Sequence, residues 1–155
     1  MKKTITAGVT AAVIATATPF IAKWEGLETT AYRDIVGVPT VCYGETRGVQ
    51  MGDTYTKEQC MDMLKVAVGD YYRKIEPCMT NKDIPVGVQA SILELAYNVG
   101  TSAACKSTMM KLANQGKYKE ACRELDKWVK AGGQTVRGLQ NRRADSKVNL
   151  CLSGL

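Results

Sequence analysis

From Thr4 to Ala22 the chain runs through 19 uncharged residues, with Lys2 and Lys3 before them and Lys23 after. As a helix this run is about 28 Å long against a hydrocarbon core of roughly 30 Å, so it can just span a bilayer. Six Ala, five Thr and three Ile, with no Leu, leave it only weakly apolar. Between Ala31 and Tyr55 the pattern shifts to short alternations rich in Gly, Val, Thr and Tyr, predicting two or three small strands joined by glycine turns. After Thr56 the period becomes helical. Thr56 and Gln59 have capping-box spacing, and Cys60, Leu64, Ala67, Tyr71 and Ile75 recur at three and four up to Pro77. A second helix is expected from Pro85 through Val88, Ile92, Leu95 and Ala96 to a stop at Gly100. Ser107 caps "TMMKLANQ", which Gly116 closes. "YKEACRELDKWVKAGG" reads as one helix ended by a glycine pair, and a last helix runs through "LQNRRADSKVNLCL". The sum is an α+β chain, mainly helical, with a small sheet.

Two readings compete for the N-terminus. It has the charged start and apolar middle of a signal peptide, with a small-x-small cleavage site at Ala15 to Ala17. It equally suits an uncleaved signal anchor that keeps Lys2 and Lys3 in the cytoplasm. Either way the remainder is exported, which divides the chain into an N-terminal segment, 1–22, and one domain, 23–155.

The net charge is +6, and +4 from residue 4 onward, where 19 basic residues face 15 acidic ones. That modest excess suits an anionic polymer or lipid headgroups. No dense basic run interleaves with aromatics, so a nucleic-acid partner is not expected. The chain has no histidine, which removes Ser-His-Asp catalysis, histidine zinc sites and imidazole proton transfer. Acid-base chemistry then falls to carboxyl groups, thiols, lysine or tyrosine. Six cysteines at 42, 60, 78, 105, 122 and 151 include no CxxC, so a metal site is not expected. An even count in an exported chain favours three disulfides. Sequence leaves the connectivity open, with Cys42 to Cys60, Cys78 to Cys105 and Cys122 to Cys151 as the preferred set.

Two carboxylates follow the apolar run closely: Glu25, and Asp34 nine positions on, with the hydroxyl of Thr40 six further. With Glu25 ending a helix and Asp34 on the first strand, a cleft can lie between them. Two carboxyl groups flanking a glycosidic bond are what glycoside hydrolysis requires. Spacing alone also fits a solvated surface pair, and it is the segment as a whole that decides.

The order Glu-x8-Asp-x5-Thr in "EGLETTAYRDIVGVPT" resembles the catalytic signature of the phage-type lysozymes, glycoside hydrolase family 24. The likeness continues through "TVCYG", "YNVG", "AGG" and "GLQNRR", over roughly residues 24 to 152. The weakly apolar N-terminus further resembles the signal-anchor-release endolysins of phages of Gram-negative hosts. The resemblance implies a two-lobed lysozyme-like fold with the cleft between lobes, and hydrolysis of the β-1,4 bond between N-acetylmuramic acid and N-acetylglucosamine of peptidoglycan. No cofactor or metal is implied, and the enzyme would be a monomer. By position, Glu25 matches the general acid, Asp34 the carboxylate that orients or activates water, and Thr40 the hydroxyl on the opposite face of the sugar. Arg142 matches a basic residue packed against the glutamate, and Asn98 and Gly44 fall among supporting or substrate-binding positions. The chain departs from the family at Cys42 and Glu45, where many members carry Gly and His. An inverting outcome requires carboxyl groups about 6.5 to 9.5 Å apart. The alternatives are a lytic transglycosylase, which needs one acid only, and a non-catalytic exported wall-binding protein.

The remaining candidates are plainer. Met61, Met63, Met109 and Met110 are expected in the core, as is Trp128; Trp24 can stack on sugar; Glu28 is expected in solvent. With 4–22 in the bilayer, Glu25 lies within about one helical turn of the headgroups. Residues that should pack behind it, such as Phe20 and Ile21, are then in lipid. The expected enzyme is therefore tethered to the inner membrane and inactive, then released to the periplasm.

Overall fold

The computed structural model describes residues 5–155. Lys2, Lys3 and Thr4, the basic flank and first residue of the predicted span, lie outside the described residues. Helix α1, Ala7–Glu25, starts behind Thr6, whose hydroxyl accepts from the Val9 N–H at 3.2 Å. It runs unbroken across residues 22 and 23 and ends where the Gly26 N–H returns to the Ala22 carbonyl. Pro19 inside it forfeits a ladder bond, while the Thr16 and Thr18 hydroxyls donate to the Ala12 and Ile14 carbonyls at 2.7 Å. This helix is long and apolar enough to cross a membrane. Here only Val13, Ala17, Thr18 and Ile21 are buried, docked chiefly on α3 and α2. Its exposed positions, among them Ala7, Gly8, Ala11 and Ala15, carry too little apolar area to demand burial.

Strands β1, Glu28–Arg33, and β2, Pro39–Cys42, pair antiparallel with Tyr32 opposite Thr40 and Arg33 opposite Pro39. An isolated bridge from Thr30 to Thr54 adds a third piece. Helix α2, Lys57–Ile75, has the expected capping box, with both Thr56 and Gln59 bonds formed.

Helix α3, Val86–Val99, is the hub of the fold. Residues 88 to 96 are all buried, because α1, α2 and the C-terminal turn close around it. Gln89, buried among them, accepts from the Tyr72 hydroxyl at 2.9 Å and donates to the Ile84 carbonyl at 2.8 Å. Gly87 is needed at the start of α3, since a Cβ there would collide with the Leu150 carbonyl oxygen.

Short helices follow: α4, Thr101–Lys106; α5, Thr108–Asn114; and α6, Tyr118–Arg123. The single helix expected over "YKEACRELDKWVKAGG" is not formed. After α6 the chain tightens into a 3-10 turn, Glu124–Lys127, that buries Leu125. It then makes a hairpin, β3, Lys130–Ala131, with β4, Gln134–Thr135. Gly132 and Gly133, expected to stop a helix, both hold positive φ and form the hairpin turn. Helix α7, Arg137–Ser146, ends the fold with a π turn, Lys147–Cys151.

The six cysteines form three bridges, the set preferred from the sequence. Cys42 to Cys60 ties the first hairpin to α2, Cys78 to Cys105 ties the turn after α2 to α4, and Cys122 to Cys151 ties α6 to the C-terminal turn. Met109 and Met110 are buried, with Met61 and Met63 packed against the core from its edge. Glu28 is exposed.

Candidate active site

Glu25 is the last residue of α1, and its carboxyl side chain is 23% exposed. Arg142 reaches it from α7 across 117 residues of sequence, donating from Nη2 to Glu25 Oε1 at 3.1 Å. The guanidinium is almost wholly buried, and its Nε bonds to Glu94 Oε1 on α3. Arg143, beside it, stands 3.6 Å from Glu94 Oε2 through Nη1. Its other nitrogens donate to the Asn98 amide oxygen and to the Trp128 carbonyl, the latter at 3.0 Å. Asn98 is thus joined to the wall behind Glu25. Trp128 is half-buried and held by its backbone.

On the other side of Glu25 the chain comes close at Gly44. This residue has φ 85°, and a Cβ built there would lie 3.7 Å from Glu25 Oε2. The Tyr97 hydroxyl donates to the Tyr43 carbonyl at 3.0 Å and so pins the same loop to α3. Burial pushes the Tyr97 hydroxyl well above its ordinary value, helped by the negative charge of Glu25. Next to this loop opens a cavity of about 320 Å³, lined in part by Gly44, Arg47, Asp70, Tyr71 and Tyr97.

Asp34 and Thr40 are organised around Val38 in the first hairpin. Asp34 Oδ1 accepts from the Val36 and Val38 N–H groups at 2.9 and 2.8 Å, and the Asp34 N–H donates to the Val38 carbonyl. Thr40 donates its hydroxyl to the same carbonyl at 2.9 Å. The Thr40 proton is therefore committed, and its oxygen has lone pairs to offer. Bonds within the hairpin fix both side chains, and Thr40 is buried beside the core residues Val41 and Cys42.

The two departures from the family pattern have structural counterparts. Cys42 holds φ 63°, the left-handed region where glycine sits without cost, and its bridge to Cys60 keeps a cysteine there. Glu45 pairs with Arg47 at 2.9 Å, and Arg47 reaches Asp70 on α2 at 2.8 Å. Burial works against ionisation of Glu45, but the hydrogen bonds and charge of Arg47 outweigh it and hold the carboxyl below its ordinary value.

Glu94 and Arg143 escaped the sequence reading. The signal was present, since a lone carboxylate at 94 sits among Ile92, Leu93, Leu95 and Ala96 on a helix that reads as buried. No group of three or more His, Cys, Asp or Glu placed to hold a metal occurs among the described residues.

This fold, a helical body with a small hairpin lobe and a carboxylate at the end of α1, is that of a lysozyme-type hydrolase. The chain belongs to the phage lysozyme family, whose pattern matches residues 22–146. It is 41% identical over 147 residues to the SAR-endolysin of Pseudomonas phage phiKMV, covering 91% of this chain and 89% of that one. Among solved structures it is similar to the active form of the P1 phage endolysin Lyz, with TM-score 0.78 and 25% identity over 98% of this chain and 97% of that one. Against the secreted inactive form of the same endolysin the TM-score is 0.51, at 25% identity, over 70% of this chain and 76% of that one.

Proposed function

We propose that this chain is a phage endolysin, a muramidase that cleaves the β-1,4 bond between N-acetylmuramic acid and N-acetylglucosamine and so lyses the host. Glu25 gives its proton to the leaving glycosidic oxygen as the C–O bond breaks. Water, held by Asp34 and the lone pairs of Thr40, attacks the anomeric carbon and passes a proton to Asp34. Arg142 and the Gly44 loop keep the Glu25 side chain in place.

The observation that carries this reading is the position of Glu25 on the last turn of a membrane-length helix that is docked into the body. When 4–22 lies in the inner membrane, Val13, Ala17 and Ile21 are in lipid instead of on α2 and α3, and Glu25 is drawn away from Arg142. The enzyme waits tethered, and extraction of the helix into the periplasm assembles the site. The greater likeness to the active than to the inactive form of the P1 endolysin supports taking the docked arrangement as the working one.

The test pairs location with activity. Membrane and periplasmic fractions are assayed for loss of turbidity of chloroform-treated Gram-negative cells. Activity should reside in the soluble fraction, vanish in Glu25→Gln, and yield reducing ends. Full activity in the membrane fraction defeats the tethering, and 1,6-anhydro products defeat hydrolysis.

A further inference from the structure

We propose that Glu94 is a positioning residue for the proton donor: it grips Arg142 from behind and offsets its charge, so that Glu25 faces a guanidinium already shared with a second carboxylate. The inference rests on Glu25 being the proton donor. Glu94 is wholly buried in the middle of α3, where a carboxylate without partners would be very costly. Its partners are Arg142 through Nε and Arg143 through Nη1. Burial pushes the Glu94 carboxyl above its ordinary value, and the two guanidiniums pull it only part of the way back. Protonating it would leave Arg143 without a carboxylate and Arg142 with Glu25 alone, so both guanidiniums favour its ionised form.

Arg142 therefore has two faces. Its Nη2 edge meets Glu25 at 3.1 Å, and its Nε edge meets Glu94. A cation bonded to a carboxyl favours the ionised form, which is the wrong form for a general acid. A second carboxylate on the far edge opposes that pull while the hydrogen bond that orients Glu25 remains. The other groups around Glu25 do not take this part. Tyr97 of α3 is neutral, Glu45 of the turn after β2 is bound to Arg47, Arg143 of α7 lies behind Glu94, Lys23 of α1 is bound to Asp145, and Asp34 is held in its hairpin.

The test uses the full chain in its released form. Glu94→Gln keeps an acceptor for Arg142 Nε and removes the charge. Its activity-pH profile on purified peptidoglycan should lose the basic limb first, the limb moving acidward by on the order of one pH unit. Arg142→Gln should move that limb the other way. Unmoved profiles, or a loss uniform in pH that tracks a lowered Tm, overturn the proposal. Should Glu94→Gln fail to fold, the Arg142→Gln profile decides, and a limb that stays put or moves acidward overturns it. An inactive wild-type chain instead removes the functional reading beneath it, so the two failures are told apart.

Discussion

Trp24 donates its indole N–H to Asp145 Oδ2 at 2.9 Å, and Lys23 reaches the same oxygen at 2.8 Å. One carboxylate on α7 thus fastens the turn of α1 that carries Glu25. In the proposed tethered form Trp24 would sit at the membrane surface, where tryptophan is favoured. Docking would exchange that setting for Asp145.

Replacing Asp145 with Ala should weaken the docked helix by about 1 to 2 kcal/mol, most of it from the Trp24 bond. Lys23 is too exposed to add much. Thermal unfolding of the released form measures this. Trp24 fluorescence should change in parallel.

The same residue gives a pH dependence. Burial opposes ionisation of Asp145, but hydrogen bonds from Lys23, Asn149 and Trp24 prevail and hold its carboxyl below the ordinary value. A depressed carboxyl stabilises the fold above its unfolded value and loses that contribution as pH falls through the folded one. Stability should therefore decline on acidification below the usual aspartate range, and Asp145→Asn should decline less. Equal acid sensitivity in both proteins would argue against the latch.

Glu25→Gln and Asp34→Asn should each lower muralytic activity by about 100-fold or more with little change in Tm. Thr40→Val should cost about tenfold through the lost hydroxyl. Turbidity assays and circular dichroism on the same preparations separate activity from folding.

Gly44→Ala places a side chain at φ 85°, 3.7 Å from Glu25 Oε2. The backbone cost is about 1 to 2 kcal/mol. Activity should fall further than stability does, because the loop displaced is the one beside the carboxyl group. A variant with full activity and unaltered Tm would show that the loop is not held as described.

Removing the Cys122 to Cys151 bridge by double substitution to Ala should cost about 3 to 4 kcal/mol, given the 29 residues it spans. The bridge secures the C-terminal turn against which Gly87 packs. A drop in Tm with the pH profile unchanged is expected.

Much of this was legible in the chain itself. The capping box at Thr56, the apolar run before Lys23 and the stop at Gly100 are local signals, and local backbone bonds honoured them. The hairpin that carries Asp34 and Thr40 is equally local, since the bonds that Val38 makes to Asp34 and Thr40 lie within seven residues of chain. The long helix expected after Tyr118 failed because a propensity reading cannot see that Leu125 must turn inward, nor that Gly132 and Gly133 serve a hairpin.

The sequence alone determined the family signature, the elements near each signature residue and an N-terminal run able to enter a membrane. Tertiary structure alone decided that Glu94 lies behind Arg142 and that Asp145 closes on Trp24, and it formed the contact of Arg142 with Glu25 that the resemblance implied. Those contacts join residues 48 to 121 positions apart. Periodicity reports which face of a helix is buried but not which charged side chain on another element will share that burial. That choice is made when α1, α3 and α7 pack, because a carboxylate withdrawn from water must find its cation there.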